Sequence, residues 1–172
     1  REALKRPDDF EIVGAIAPVG RDYIGRDIGE VARVGCANAL AYDDVEKVVE
    51  MCDGVVDFST VEASMEVLRA CVKYKKPLML GTTGFTAEQE AEIEEAAKVI
   101  PVFHSANMSL GIALLVELAK TTAKAFPDAD IEIIEKHHNR KLDAPSGTAM
   151  AIADAISDAA PDAKEFVYDH HS

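Results

Sequence analysis

The sequence contains no tryptophan, only three cysteines and no long apolar run. Cys36, Cys52 and Cys71 are widely spaced and form no C-x-x-C pair, so they predict reduced thiols in a cytoplasmic protein rather than a disulfide or zinc framework. No segment approaches the ~18–20 consecutive apolar residues of a membrane-spanning helix. These absences argue against a secreted, membrane-spanning or cysteine-metal protein.

Positive charge is scarce as well. The 18 lysines and arginines face 31 aspartates and glutamates, which gives a formal net charge of −13. Such a surface repels the phosphates of nucleic acids and of anionic lipids, so we expect neither nucleic acid nor a membrane as a partner. An anionic small molecule would have to be held by local cations and helix ends. The 172 residues, 48% of them hydrophobic, are enough for one domain, or for one domain and part of another.

Strand and helix patterns alternate through the first two thirds of the chain. Short apolar runs predict strands at residues 11–16, 54–58, 77–80 and 100–103. Helical spacing and capping residues predict helices over residues 44–51, capped by Asp43, over 61–74, and over 86–98 with a capping box of Thr86 and Gln89. This order is typical of a Rossmann-like α/β fold, a parallel sheet with helices on both faces.

The pattern changes after the fourth strand. We expect a long helix over residues 108–126, a half-buried strand over 130–135, in which acidic residues and isoleucines alternate, and a helix over 146–160. These elements indicate part of a second, α+β domain. We therefore divide the chain into residues 1–107 and 108–172.

Polar residues follow two neighbouring predicted strands, at residues 58–60 (FST) and 81–84 (GTTG). Because ligands of open α/β sheets bind outside the carboxyl ends of the strands, both segments are candidate ligand contacts. Glycine permits a close backbone approach, and threonine offers a hydroxyl and an amide. The alternative is a polar turn, in which Ser59 or Thr60 only caps the next helix.

A third polar segment, Ala106 and Asn107, follows the last strand of the first domain. Its alternative function is to cap the long helix through Asn107 or Ser109. We interpret the preceding His104 as structural.

The strongest candidate site follows the predicted strand of the second domain. Pro145 disfavours helix in the residue before it, so Ser146 can cap a new helix whose first amides belong to Gly147 and Thr148. A helix N-terminus with free N–H groups is a site for a carboxylate or a phosphate, and Lys141 adds a movable cation. The alternative is an exposed basic loop followed by an incidentally capped helix.

His137 and His138 immediately precede this segment. The charge of histidine changes near neutral pH, so it can donate a proton and recover it. Adjacent histidines tend to point apart and no third ligand stands at a suitable spacing, so we expect no metal site. A histidine pair followed by a cation and an anion cradle predicts a site that holds an acid and protonates it.

These segments resemble those of one known family. The block EKHHNRKLDAPSGTA at residues 135–149 closely resembles the substrate-loop signature of the dihydrodipicolinate reductase family of lysine and diaminopimelate biosynthesis. VDFST at 56–60, LGTTGF at 80–85 and the pair at 106–107 resemble its nucleotide-binding strand ends, and GRDIGE at 25–30 resembles its early loop. The resemblance covers nearly the whole chain.

The resemblance implies a role for each candidate residue. His137 would donate a proton, and Lys141 would bind substrate and assist the protonation. The substrate carboxylates would be held by His138, Ser146, Gly147 and Thr148. The nicotinamide and the adjoining ribose would be lined by Phe58, Gly81, Thr82, Thr83, Ala106 and Asn107.

The implied reaction is hydride transfer from NADPH or NADH to a cyclic unsaturated dicarboxylate, formed from 4-hydroxy-tetrahydrodipicolinate, to give tetrahydrodipicolinate. Residues 1–107 would then bind the nucleotide, and residues 108–172 would bind the substrate. The family resemblance also implies a homotetramer for the full-length protein.

Three features depart from the family pattern. The family opens with a strand and a G-x-x-G-x-x-G phosphate loop, which the sequence given from Arg1 does not contain, and the last strands of the family's second domain would follow Ser172. We therefore expect a chain truncated at both ends. Residues 16–19 (IAPV) stand where an acidic residue would bind the adenine ribose, and with Arg21 nearby this weakly favours NADPH. Two alternatives stay open: a non-catalytic binding or assembly module derived from such a reductase, and another Rossmann oxidoreductase of the aspartate pathway.

Overall fold

The computed structural model of the chain describes residues 2–139, 141, 144–160 and 165–168. The chain divides after His104 into two compact units. Each unit has its own elements and is described by itself.

The described part of the first unit contains five strands of three residues each, and every pairing between them is parallel. They are β1 (Gly14–Ile16), β2 (Leu40–Tyr42), β3 (Val55–Asp57), β4 (Leu78–Leu80) and β5 (Val102–His104). β1 pairs with β2, while β3, β4 and β5 form a second sheet with β4 in the centre. The register places Asp57, Leu80 and His104 side by side at the carboxyl ends of β3, β4 and β5. Parallel strands joined by helices confirm the predicted Rossmann-like α/β class.

Helices connect these strands, and a side-chain cap begins each of them. They are α1 (Ile28–Val31), α2 (Val45–Met51), α3 (Val61–Tyr74) and α4 (Ala87–Ala97). The predicted capping box is confirmed: Thr86 accepts from the backbone N–H of Gln89, whose side chain accepts in turn from Thr86 N–H. The cap of α2 is Asp44 rather than the predicted Asp43, because the Asp44 side chain is the one that accepts from Lys47 N–H.

The core of the first unit lies between α3 and the sheet of β3 to β5. Leu68 and Cys71 on α3 are almost completely buried, as are Leu78 and Leu80 on β4. Full burial of one leucine side chain contributes about 1.5–3 kcal/mol. This packing fixes the position of α3 against the strand ends that carry the polar segments.

The sequence did not predict α1 or β2, because no periodic pattern organises this part of the chain. Instead, the side chain of Asp27 accepts hydrogen bonds from the backbone N–H groups of Gly29, Glu30, Ala37 and Ala39. The bond from Ala37, followed by those from Glu30, the Cys36 thiol and Gly29, lowers the pKa of Asp27 to about 2. One carboxylate thereby shapes a loop whose partners lie up to twelve residues away.

In the described part of the second unit there are two helices. α5 (Leu110–Ala125) and α6 (Gly147–Ala159) pack against each other, close to the predicted bounds. The predicted strand at residues 130–135 is wrong, since residues 131–138 adopt no regular structure. A strand needs a neighbour to pair its backbone groups, and none of the described residues of this unit lies in a strand. Within the described part of the chain, no helix is long and apolar enough to cross a membrane.

Candidate active site

An exposed aromatic ring lies at the strand ends of the first unit. Gly81, directly after β4, donates its N–H to the carbonyl of Asp57 at 2.8 Å. A Cβ atom at Gly81 would overlap the ring of Phe58, so only glycine lets the ring lie this close to the backbone. Phe58 nevertheless remains 66% exposed. The ring is therefore held in place on one side and open on the other.

A buried polar network supports the same strand ends. Ser64 on α3 is fully buried, and its hydroxyl lies within hydrogen-bonding distance of the Asp57 carboxylate and 2.8 Å from Thr82 Oγ1. Because a hydroxyl has only one proton, Ser64 donates to the carboxylate and accepts from Thr82. Asp57 also accepts from Ser59 N–H at 3.0 Å. The network ties α3 to the ends of both β3 and β4.

Sequence reasoning missed Asp57 and Ser64 as members of this site. It placed Asp57 in an apolar strand and Ser64 in a helix. A signal for Ser64 was present, because it stands four residues before Leu68 and seven before Cys71, on the apolar face of α3. A serine at an apolar position needs a buried partner.

His104 holds the loop that follows β4. Its Nε2 atom lies 3.3 Å from the carbonyl oxygen of Thr82, and its Nδ1 atom lies 3.6 Å from the carboxylate of Glu90. Its ring also meets that of Phe85 edge-on at 5.5 Å. These contacts agree with the structural interpretation of His104. Thr83, in the same loop, has an exposed side chain.

Asn107 joins the beginnings of both helices in the second unit. Its Nδ2 atom donates to Thr148 Oγ1 at 2.9 Å, and its Oδ1 atom accepts from Ser109 N–H at 2.8 Å. Ser109 in turn caps α5. Ser109 is therefore the cap of α5, while Asn107 holds Ser109 in place and orients the hydroxyl of Thr148. Ala106 beside it is exposed.

Ser146 begins α6 as the sequence predicts. Its buried hydroxyl accepts from Ala149 N–H at 3.1 Å. The same hydroxyl donates to Glu135 Oε2, and Ser146 N–H donates to Glu135 Oε1 at 2.8 Å. Both donors of Ser146 are thus engaged. Among the described residues, none accepts from the backbone N–H of Gly147 or Thr148.

Glu135 also contacts His137. Its Oε2 atom lies 2.8 Å from His137 Nε2. The hydroxyl of Ser146, the imidazole of His137 and the N–H of Ser146 together lower the pKa of Glu135 to about 2. Sequence reasoning missed Glu135 because it placed this residue in the strand that does not form. The remaining signal was a carboxylate two positions before a histidine.

These groups border one shallow cavity of about 230 Å³. It is lined by Ile133, Ile134, Glu135, Lys136, His137, Ser146, Thr148, Ala149 and Ile152. The structure thus brings His137, Ser146 and Thr148 together, whereas the described residues His138 and Lys141 are not part of this lining. Lys141 N–H donates to the carbonyl of His138 at 3.2 Å. Within the described ranges, no three histidine, cysteine or acidic side chains are grouped as metal ligands.

Two family models match the chain. The model of the N-terminal part of dihydrodipicolinate reductase matches residues 1–108, and that of its C-terminal part matches residues 111–170. Together these matches cover nearly the whole sequence.

Curated relatives carry the name 4-hydroxy-tetrahydrodipicolinate reductase. The chain is 49% identical over 131 residues to the relative from Caldanaerobacter subterraneus subsp. tengcongensis, covering 76% of the chain and 52% of the relative. It is 41% identical over 150 residues to one from Acinetobacter baumannii, covering 87% of the chain and 55% of the relative. The chain thus spans about half the length of the curated relatives that it matches.

A solved structure is similar as well. It is a dipicolinate-bound dihydrodipicolinate reductase from Paenisporosarcina sp. TG-14, with a TM-score of 0.70 and 26% sequence identity. The match covers 99% of the chain and 66% of that protein.

Proposed function

We propose that the chain, which belongs to the dihydrodipicolinate reductase family, carries both half-sites of an NAD(P)H-dependent reductase. The reaction is the reduction of dihydrodipicolinate, formed from 4-hydroxy-tetrahydrodipicolinate, to tetrahydrodipicolinate in lysine and diaminopimelate biosynthesis. One observation carries this proposal: His137 and the amino end of α6 border the same cavity. A proton donor beside an anion site suits a substrate that must be held by its carboxylates and protonated.

The amino end of α6 recognises a substrate carboxylate. The N–H groups of Gly147 and Thr148 and the hydroxyl of Thr148 are its donors, since Asn107 uses only an acceptor position of that hydroxyl. Ser146 contributes by beginning the helix, because its own donors bind Glu135. The helix dipole adds about 0.3–1 kcal/mol.

Two further cationic or ionisable side chains complete the carboxylate site. His138 and Lys141 belong to the same segment, and a hydrogen bond joins their backbones. Lysine is a flexible point charge, which suits a second carboxylate of a small acid. The cavity, at about 230 Å³, is below the range of roughly 300–1,000 Å³ typical of drug-sized ligands. Its size therefore fits a small dicarboxylate.

His137 delivers the proton to the substrate, and Lys141 assists it. A positioned general acid contributes on the order of 100- to 10,000-fold in rate. His137 is suitable because its ring is anchored at Nε2 by Glu135 and lines the cavity.

The first unit, within residues 1–107, binds the reduced nicotinamide, which supplies the hydride when it is bound. The exposed ring of Phe58 beside Gly81 offers a flat apolar surface, and the exposed Thr83 offers polar groups at the carboxyl ends of the strands. Thr82, whose buried hydroxyl binds Ser64, is proposed as a cofactor contact on its sequence motif. These residues fit a planar ring with a polar ribose. Ala106 and Asn107, in the second unit, are proposed as further cofactor contacts on their sequence motif alone.

NADPH is the preferred cofactor in this proposal. Ala17 follows β1 directly, with its N–H bound to the carbonyl of Tyr42, and the exposed Arg21 lies four residues further on. An arginine without a nearby strand-end carboxylate favours a 2′-phosphate. We expect kcat/KM to be higher with NADPH than with NADH. Arg21→Ala should reduce the preference for NADPH, measured as the kcat/KM with NADPH divided by the kcat/KM with NADH. A clear NADH preference would contradict this assignment.

The protein assembles as a homotetramer in this proposal. Leu110, Leu114 and Leu118 are exposed at a spacing of four residues, which places them on one face of α5. Exposed apolar faces of this kind are typical of protein–protein contacts. Light scattering should give four copies for the protein and fewer for a Leu114→Lys/Leu118→Lys variant; a monomeric wild type would refute the assembly.

A steady-state assay tests the function. The protein is mixed with freshly generated substrate, and the loss of absorbance of NADPH or NADH is followed. We expect substrate-dependent oxidation, with the KM for the dicarboxylate raised about tenfold or more in Thr148→Val, because a charge-assisted donor is lost. Thr121→Val, on the exposed surface of α5, is the matched control and should behave as wild type. The absence of substrate-dependent oxidation would overturn the proposed function.

A further inference from the structure

We propose that Glu135 is a positioning residue, whose negative charge holds His137 with Nε2 protonated and leaves Nδ1 as the nitrogen that gives the proton to the substrate. The inference rests on the proposed function and deepens it. It assigns a role to a residue to which the sequence analysis gave none.

Glu135 contacts both Ser146 and His137. Its Oε1 atom accepts from Ser146 N–H at 2.8 Å, while its Oε2 atom accepts from the Ser146 hydroxyl and lies 2.8 Å from His137 Nε2. Both oxygens are therefore engaged. The carboxylate connects the proton donor directly to the residue that begins α6.

The contact with Glu135 determines which ring nitrogen of His137 carries the proton. A carboxylate only accepts hydrogen bonds, so the nitrogen that faces it must carry a proton in both the charged and the neutral imidazole. Nε2 of His137 therefore keeps its proton throughout. The Nδ1–H bond breaks as the substrate forms a new bond to that proton. The imidazole, now neutral, stays bound to Glu135 through Nε2–H. A proton from the solvent then restores Nδ1–H.

The proposed role of Glu135 requires its negative charge, whereas a purely structural role does not. A neutral glutamine could still accept from Ser146 N–H through its amide oxygen and present its NH₂ group at the other position. It could not stabilise an imidazolium, and its NH₂ group would donate to His137 Nε2, which would then have to be the unprotonated nitrogen. The protein therefore needs the charge for His137 and not for the beginning of α6.

The first test reads the tautomer of His137 without any turnover. In ¹⁵N NMR spectra of the wild-type protein at alkaline pH, without substrate, we expect neutral His137 to carry its proton on Nε2. In Glu135→Gln we expect the proton on Nδ1, while Glu117→Gln, an exposed acid on α5 that pairs with Lys120, should leave the wild-type tautomer. The wild-type spectrum is informative even if the variant does not fold. A wild-type proton on Nδ1 would overturn the inference.

The second test reads catalysis. In Glu135→Gln we expect kcat near neutral pH to fall at least about tenfold, with the KM for the dicarboxylate changed less than about threefold. The alkaline limb of the kcat profile should move to lower pH, since the imidazolium loses an opposite charge. A role limited to packing would not move that limb. Wild-type kcat with an unshifted limb would contradict the proposal.

The two tests separate this inference from the proposed function. If the wild type has no reductase activity but its tautomer depends on Glu135, the proposed function fails while the contact stands. If the wild type is an active reductase and the tautomer and the pH profile are the same in Glu135→Gln, the inference fails while the function stands.

Discussion

At the residue scale, each unit contains a carboxylate that binds a serine hydroxyl among the candidate site residues. In the first unit Asp57 binds Ser64, which binds Thr82. In the second unit Glu135 binds Ser146 and His137. Such arrangements are stable only when every buried polar group has a partner, and among the described side chains no buried nitrogen or oxygen lacks one. Removal of one hydroxyl should therefore leave its neighbours unsatisfied.

Ser64→Ala tests this in the first unit. We expect the free energy of unfolding to fall by about 1–3 kcal/mol, because Asp57 and Thr82 both lose a buried partner. Urea denaturation followed by circular dichroism measures the loss. Thr121→Ala on α5 is the control, since its exposed hydroxyl donates to a carbonyl of its own helix, and it should change stability by less than about 0.5 kcal/mol. Equal effects of the two substitutions would contradict the network.

The stability of the second unit should depend on pH through Glu135. Its pKa is lowered from 4.5 to about 2, so folding favours the charged form. The stabilisation is fully present above the unfolded-state pKa, near 4.5, and is lost as the pH falls towards 2. Urea denaturation at about pH 6 and about pH 3 should therefore show a larger loss for the wild type than for Glu135→Gln. If the variant loses as much stability as the wild type, the ionised contact does not stabilise the fold.

At the element scale, local signals set the helices that the sequence predicted correctly. α3 was predicted from its apolar periodicity and α4 from its threonine capping box, and both predictions lie within a residue or two of the observed bounds. α1 and β2 escaped prediction because the side chain of Asp27, not periodicity, organises them. The strand predicted over residues 130–135 failed because alternation alone does not supply a partner strand.

Thr86→Ala tests the capping box. We expect the free energy of unfolding to fall by about 1 kcal/mol, because the amino end of α4 loses the side-chain acceptor for Gln89 N–H. The measurement is again urea denaturation. Thr121→Ala on α5 removes an exposed threonine that is not a cap and serves as the control. A loss no greater in Thr86→Ala than in Thr121→Ala would show that the cap is not stabilising.

At the scale of the whole molecule, the acidic surface repels an anionic substrate, whereas the proposed local site binds it. The net charge of −13 gives a dianionic substrate no general attraction. In the proposed function, capture of the substrate therefore depends on the donors at the amino end of α6 and on Lys141. The sequence pointed to this candidate half-site because histidine, lysine and a helix start stand within thirteen residues, 137–149. It could not predict Glu135 or Asp57 as partners, since those contacts depend on how loops and a helix face fold together.

The turnover number of His137→Gln tests the central claim most directly. The account predicts that kcat for the dicarboxylate falls by about 100-fold or more, because the proton donor is lost, while the affinity for dipicolinate measured by calorimetry changes less than about threefold. The side chain of His137 is 40% exposed, so the variant should keep the wild-type circular dichroism spectrum. A His137→Gln protein that folds and turns over within about twofold of the wild type would contradict the account.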